Sequence, residues 1–297
     1  MGMICTHFGI TRQAHYQMTR RVRQREKEAV VILEMVRQIR RKHPRMGVRK
    51  LQVKLGPMLA AEGLRIGRDG LFTLLRQADM LVQRRKKGRR TTLPGFWRTP
   101  NLLPGLTITK PNQVWVSDIT YVETELPPFV YLFMIMDLYS RYIVGWHVSN
   151  SLAASGALTA LQQAILPCPL LTHELIHHSD HGVQYTCHDY LNTLSSHKIR
   201  PSMGAVGNCY ENAFAERVIG TLKGEYGLDR RLPDLLAVSK LAREAIFLYN
   251  TDRPHQALDY AYPSRVYVDS SCRSPSIVIP SSKESFKFSE LACISSS

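Results

Sequence analysis

A chain of 297 residues, 44% hydrophobic and 21% charged, has material for one large folded core and a smaller unit, which excludes a disordered or fibrous protein. No window approaches eighteen uninterrupted apolar residues, which argues against a membrane-spanning helix, and the opening "MGMICTHFGITRQ" lacks the charged start and apolar run of a secretory signal. Six cysteines lie scattered without a CxxC pair, so they read as reduced thiols of a cytoplasmic protein rather than a disulfide frame or a zinc site.

The net charge of +15 is unevenly placed. Residues 1–90 hold 23 Lys or Arg against 6 Asp or Glu, a net of +17, and the remaining residues carry −2. Such a basic third suits a polyanion, whose counterions are released when Lys and Arg meet phosphate. The expected partner is double-stranded DNA, and the expected location is the cytoplasm, on the nucleoid.

In chain order, residues 1–28 read as a basic helical segment. "EKEAVVILEMVRQIRRKHPRMG" then places Val31, Met35 and Ile39 at helical spacing up to Pro44. A second helix fits "GVRKLQVKLGPML". A third fits "RDGLFTLLRQADML", with Asp69 as its cap and Leu71, Leu74, Leu75 and Ala78 as its stripe. Three short helices with arginines between them predict an all-α, helix-turn-helix-like DNA-binding domain over 29–92. Its expected DNA contacts are Arg45, Arg49, Lys50, Arg68, Arg76, Arg84 and Arg85. Pro, Gly and Thr then mark a linker over 93–110.

From 111 the periodicity changes. "VWVSDITYV", "FVYLFMIMD" and "YIVGWHVS" read as a meander of three strands. A helix at "LAASGALTALQQAIL", with Ala153, Ala157, Leu161, Ala164 and Ile165 on one side, leads to the strand "ELIHHS". The helix "YTCHDYLNTLSSH", a strand near Ile199 and the helix "NAFAERVIGTLKGEY" complete the series. That order predicts a ribonuclease-H-like α/β core over 111–269, and the Ser-rich stretch 270–297 reads as a disordered tail.

Asp118 lies inside the first core strand, where an uncompensated carboxylate costs several kcal/mol. Asp180 follows the next core strand on the turn "SDHG", so the two aspartates are expected to meet at one end of the sheet. In the last helix Phe214, Val218 and Leu222 define a buried stripe, which turns Glu216 away from it. Lys223 shares the face of Glu216, with Asn212 one turn earlier. Three carboxylates suit hard cations, and two Mg²⁺ or Mn²⁺ ions about 3.5–4 Å apart can hold both oxygens of a phosphodiester displacement.

Other readings compete for these residues. His177, His178 and His181 suggest zinc, though their spacing on a strand and turn is poor for a tetrahedron. Ser179 lacks the GxSxG elbow of a hydrolase. His178 is expected behind the carboxylates rather than among them. Asp137 reads as a cap of its hairpin, and Arg253 with His255 as a pin at a helix end.

"WVSDITYV", "HHSDHGVQY" and "GNCYENAFAERVIGTLK" resemble the three signature blocks of retroviral-integrase-type transposases, above all the second-frame protein of the insertion-sequence-three family. Between Asp180 and Glu216 lie 35 residues, the spacing of that family's Asp-Asp-Glu group, and a basic residue follows seven positions later. "PRMGVRKL", "DLYSRYIVGW" and "YNTDRPHQALDYAYPSRV" extend the similarity over about residues 37–268. The resemblance implies an integrase core that cleaves element ends and joins the freed 3′ hydroxyl to another strand. It implies Asp118, Asp180 and Glu216 as catalytic metal ligands, Lys223 at the DNA end, and Arg217 and Asn212 as further DNA contacts. It also implies a homo-oligomer on DNA and a first-frame partner protein. The alternative is a catalytically silent DNA-binding repressor or remnant.

Overall fold

The computed structural model describes residues 11–82, 99–167, 174–204, 213–269 and 276–279. They belong to two compact units, one within Met1–Arg84 and one within Arg85–Ser297.

The first unit is three helices: α1 (Arg12–Lys42), α2 (Val48–Ala61) and α3 (Arg68–Gln77). Thr11 caps α1, its hydroxyl accepting from the Ala14 amide at 3.1 Å. The helix starts well before the apolar pattern does, and only its second half packs. Ile32, Met35, Val36 and Ile39 meet Leu51, Leu55 and Leu59 of α2 and Leu71 and Leu75 of α3. Val31, expected on the buried stripe, is 41% exposed, because the stripe is centred on Ile32 and Val36. Asp69 does not cap α3: Gly67 occupies the cap position, and the Asp69 carboxylate pairs with Arg68 at 2.9 Å.

The second unit is built on a five-stranded sheet. Its strands are β2 (Val114–Glu123), β3 (Phe129–Asp137), β4 (Ile143–Ser149), β5 (Ile176–Ser179) and β6 (Arg200–Met203), in the order β4-β3-β2-β5-β6. The meander β2–β4 is antiparallel, while β5 and β6 add in parallel beside β2. This is the ribonuclease-H-like arrangement that the element order predicts.

Strand alternation gives the sheet two apolar faces. Trp115, Phe133 and Ile135 pack on α4 (Ala154–Ile165) and α6 (His188–Ser196). Val114, Val116, Leu132 and Met134 pack on α7 (Ala213–Tyr226) and α8 (Leu235–Thr251). The predicted helix after Asp180 is broken in two, because Cys187 is extended between the short α5 (Val183–Thr186) and α6. Ala153 stands just outside α4 as its cap residue.

Arg253, in the turn after α8, makes a two-pronged ion pair with Glu225 of α7 at 2.7 and 2.8 Å and so ties the two helices together. Beyond that turn lie a short 3-10 turn and α9 (Pro263–Val268). Of the Ser-rich stretch 270–297 only residues 276–279 are among those described, and they are structured rather than disordered. β7 (Ile277–Val278) pairs antiparallel with β1 (Thr107–Ile108), inside the segment read as linker. The cause is local: in "SIVIP", Ile277 and Ile279 are apolar, alternate, and are buried against the core.

Candidate active site

The sheet brings two of the carboxylates level. β2 and β5 run in parallel with Val116 opposite His178, Asp118 and Asp180 each follow two residues later, and Asp180 is the charge that acts most strongly on Asp118. Asp118 shares the face of Val116, the side on which α7 packs. Asp180 begins a turn in which its Oδ1 accepts from the Gly182 amide at 3.0 Å.

α7 delivers the other two groups. Val218 and Leu222 are buried and Phe214 is half-buried, as the stripe requires, while Ala215, Ile219 and Tyr226 widen it. Glu216 is exposed in the first turn and Lys223 is half-buried in the last. The Lys223 ammonium sits over the Tyr121 ring, 4.5 Å from its centre. Arg217 is exposed beside Glu216.

The electrostatics tie these residues together. Burial, reinforced by the charges of Asp180 and Glu216, pushes the Asp118 carboxyl up to about 8. The Ile119 amide, donating to it at 2.9 Å, and the Lys223 charge act the other way without offsetting the rise. Lys223 is itself lowered by burial, against the pull of Asp118, Asp229 and Glu123. An acid that keeps its proton near neutrality between two other acids is one whose charge a dication would stabilise. By donor chemistry the trio therefore fits a hard divalent ion. Its spacing is looser than a closed cage: among the described residues no three His, Cys, Asp or Glu groups are gathered closely enough to hold a metal ion. Of the other two acids, Glu216 acts on Asp118 less strongly than Asp180 does.

The histidines divide between the two faces. His177 turns toward Trp115 and pairs with the Tyr190 hydroxyl at 2.9 Å, while the His178 Nδ1 meets the Ser202 hydroxyl at 2.9 Å. Neighbours on one strand cannot converge on one zinc ion when they point to opposite sides. Burial lowers both, to about 3 and about 4, so both are neutral. Asp137 is fully buried and caps its hairpin, accepting from the Ser140 amide at 2.8 Å, the Ser140 hydroxyl at 2.5 Å and the Asn112 amide at 2.7 Å.

Arg141 is a residue the sequence reading passed over. It is 7% exposed, adopts φ +63°, and lays its guanidinium over the Phe214 ring at 4.5 Å, at the head of the helix that carries Glu216. Its Nε and Nη1 have no hydrogen-bond partner, and burial lowers its pKa to about 10. The available signal was an Arg enclosed in the apolar hairpin "DLYSRYIVGW". Tyr185 was missed as well: it is buried, and its phenol is raised by burial, by Tyr190 and then by the charges of Asp180 and Asp118.

Five of the remaining predicted contacts lie among the described residues of the helical unit. Arg49 and Lys50 stand in the first turn of α2, and Arg68 opens α3. Cations there oppose the helix dipole, whereas an approaching phosphate would favour both the helix ends and the side chains. Arg45 is half-buried just ahead of α2, and Arg76 covers the Phe72 ring at 4.7 Å. Arg84, Arg85 and Asn212 lie outside the described residues.

Two family models match the second unit, both described as integrase core domain, over residues 108–209 and 197–263. The chain is 33% identical over 275 residues to the insertion element IS600 uncharacterized 31 kDa protein of Shigella sonnei, a match covering 88% of this chain and 96% of that one. It is 32% identical to the transposase for insertion sequence element IS629 of Shigella sonnei, over 74% of this chain and 72% of the relative. It is 39% identical to transposase InsF for insertion sequence IS3A of Escherichia coli K12, over 41% of this chain and 43% of the relative. Among solved structures, the catalytic core domain of HTLV-2 integrase in complex with magnesium aligns with a TM-score of 0.42 and 18% identity, covering 56% of this chain and 99% of that one. The two integrase-core models, together with the IS600 relative matched over 96% of its length and the IS629 transposase matched over 72% of its length, show that the chain belongs to the insertion-sequence transposases of the IS3 family.

Proposed function

We propose that this transposase cuts and joins DNA at a divalent-metal site formed by Asp118, Asp180 and Glu216. The observation that carries the reading is Asp118, raised to about 8 by burial and by the two other acids of the trio. Mg²⁺ or Mn²⁺, two ions per site, would polarise the phosphoryl oxygen and make water a better nucleophile near neutral pH.

The chain supplies position and charge. Asp118 and Asp180 fix their carboxylates on the rigid end of the sheet, and α7 brings Glu216 to the same side. Lys223, held on Tyr121, meets the phosphate backbone of the strand being processed, with Arg217 and Asn212 as further contacts. His178 braces the sheet beneath Asp180 through Ser202. The reaction class is in-line displacement at phosphorus. Water oxygen bonds to phosphorus as the 3′ oxygen at the element end leaves, giving a 3′ hydroxyl and a 5′ phosphate. That 3′ oxygen then bonds to a target phosphorus, whose own 3′ oxygen leaves.

The expected substrates are duplex element ends and target DNA. The working form is a homo-oligomer on DNA, assisted by a first-frame partner protein. Incubating the full chain with labelled duplex element ends, a target duplex and Mn²⁺ is expected to give nicked and joined products, with and without that partner as the two arms. Asp118→Ala, Asp180→Ala and Glu216→Ala are each expected to abolish both products with little change in DNA affinity. Retained chemistry in any one of them removes that residue from the site. The basic first third of the chain supports a second reading, a silent DNA-binding repressor; strong binding with no product in Mg²⁺ or Mn²⁺ would establish it.

A further inference from the structure

The first half of α1 does nothing for the fold of its own unit. The helix runs 31 residues, yet its first buried side chain is Ile32. An unsupported helical stretch of this length is marginal in water, so its helicity calls for a partner.

The surface of that stretch is ordered. Gln13, Gln17, Arg20, Gln24 and Lys27 recur at steps of four, three, four and three, and all five are exposed. At about 100° per residue they occupy a single strip about 80° wide. Arg21, Arg23 and Arg25 flank it. Gln and Arg are the side chains that make paired hydrogen bonds to adenine and guanine edges, and the major groove is wide enough to admit an α-helix. From Gln13 to Lys27 the strip is about 21 Å long, which matches about six base pairs at ~3.4 Å each. The one side-chain bond inside it, Gln24 to Glu28 at 3.0 Å, is exposed and exchangeable.

A lipid surface fits less well. The exposed apolar residues Tyr16, Met18, Val22 and Val30 spread over about 160° of the helix and form no continuous greasy face. The charge also points to a polyanion, since this third of the chain supplies the whole positive excess.

We infer that the first half of α1 is a major-groove reading helix: Gln13, Gln17, Arg20, Gln24 and Lys27 contact base edges, and the flanking arginines contact phosphates. The inference rests on the DNA-transposing reading and adds a second sequence-reading element to it, separate from the α2–α3 pair.

The test is selection of a randomised duplex pool by the full chain without metal, set against two variants. Gln17→Ala/Gln24→Ala removes base contacts at no change in charge. The selected site is expected to lose its preference at about two base pairs of that footprint, and affinity for the wild-type site to fall at least about tenfold, with binding to random duplex unchanged. Arg21→Gln/Arg23→Gln/Arg25→Gln is expected to weaken all duplexes alike and make the salt dependence shallower, with the same site selected. All five positions are exposed, so melting temperatures are expected to match the wild type. An identical selected site for wild type and Gln17→Ala/Gln24→Ala overturns the inference and leaves the metal-site reading intact. Enrichment of nothing by the wild type overturns sequence-specific reading altogether, whereas product formation with Mn²⁺ on supplied ends still judges the carboxylates separately.

Discussion

Asp118 is the acid on which the proposed metal site depends most. Its pKa in the folded chain, about 8, lies above the usual carboxylate value near 4, because burial and two neighbouring acids disfavour its charge. Between those values the metal-free native state keeps a proton that the unfolded chain has lost. Stability from this group is therefore complete below about pH 4 and is lost as pH rises toward 8. Asp137, raised to about 6 by burial, acts in the same direction over a narrower window. Asp118→Asn keeps the shape and removes the charge. In chelator it is expected to raise the melting temperature by at least about 3 °C at pH 8–9 and to change little at pH 4. Mn²⁺ should stabilise the wild type at pH 8 and do so less in the variant. Thermal melts over a pH series check both, and a gain that is equal at every pH would remove the charge argument.

At the scale of elements, the fit of α4 on the sheet depends on two glycines. A Cβ on Gly145 in β4 would come within 2.2 Å of the Ala160 carbonyl oxygen, and one on Gly156 in α4 within 2.4 Å of the Phe133 ring. The first obstacle is helix backbone, whereas the second is a side chain that can turn. Gly145→Ala is therefore expected to destabilise by about 2–3 kcal/mol and Gly156→Ala by less, measured by denaturant titration. Equal costs would mean that α4 shifts bodily. These contacts also mark what the sequence could reveal. Alternation in "VWVSDITYV" and the stripe of Phe214, Val218 and Leu222 made the sheet and α7 legible, and with them the elements that carry Asp118, Asp180 and Glu216. What stayed hidden depends on tertiary neighbours: the burial of Arg141 over Phe214, the seat of Lys223 on Tyr121, and the pairing of β7 with β1. Local propensity also misplaced the cap of α3, since Asp69 has Arg68 next to it as a competing partner.

Across the whole chain, charge is divided unevenly between the two units: Met1–Arg84 carries 18 Lys or Arg against 6 Asp or Glu, a net of +12, and Arg85–Ser297 carries +3. Attraction to DNA should therefore be a property of the first unit, and its strength should fall steeply with salt. Each phosphate contact contributes about −0.9 to the slope of log K against log salt on duplex DNA. Replacing Arg45, Arg49 and Lys50 together by Gln is expected to make that slope shallower by about 2 to 3, measured by fluorescence anisotropy from about 50 to 200 mM salt. Asp118→Asn, Asp180→Asn and Glu216→Gln, which remove negative charge from the second unit, are expected to leave it nearly unchanged. The opposite pattern would place the main phosphate contacts on the catalytic unit, beside Lys223 and Arg217. An intact slope in the first variant with weaker binding in the second would mean that the basic third binds something other than the duplex on which the carboxylates act.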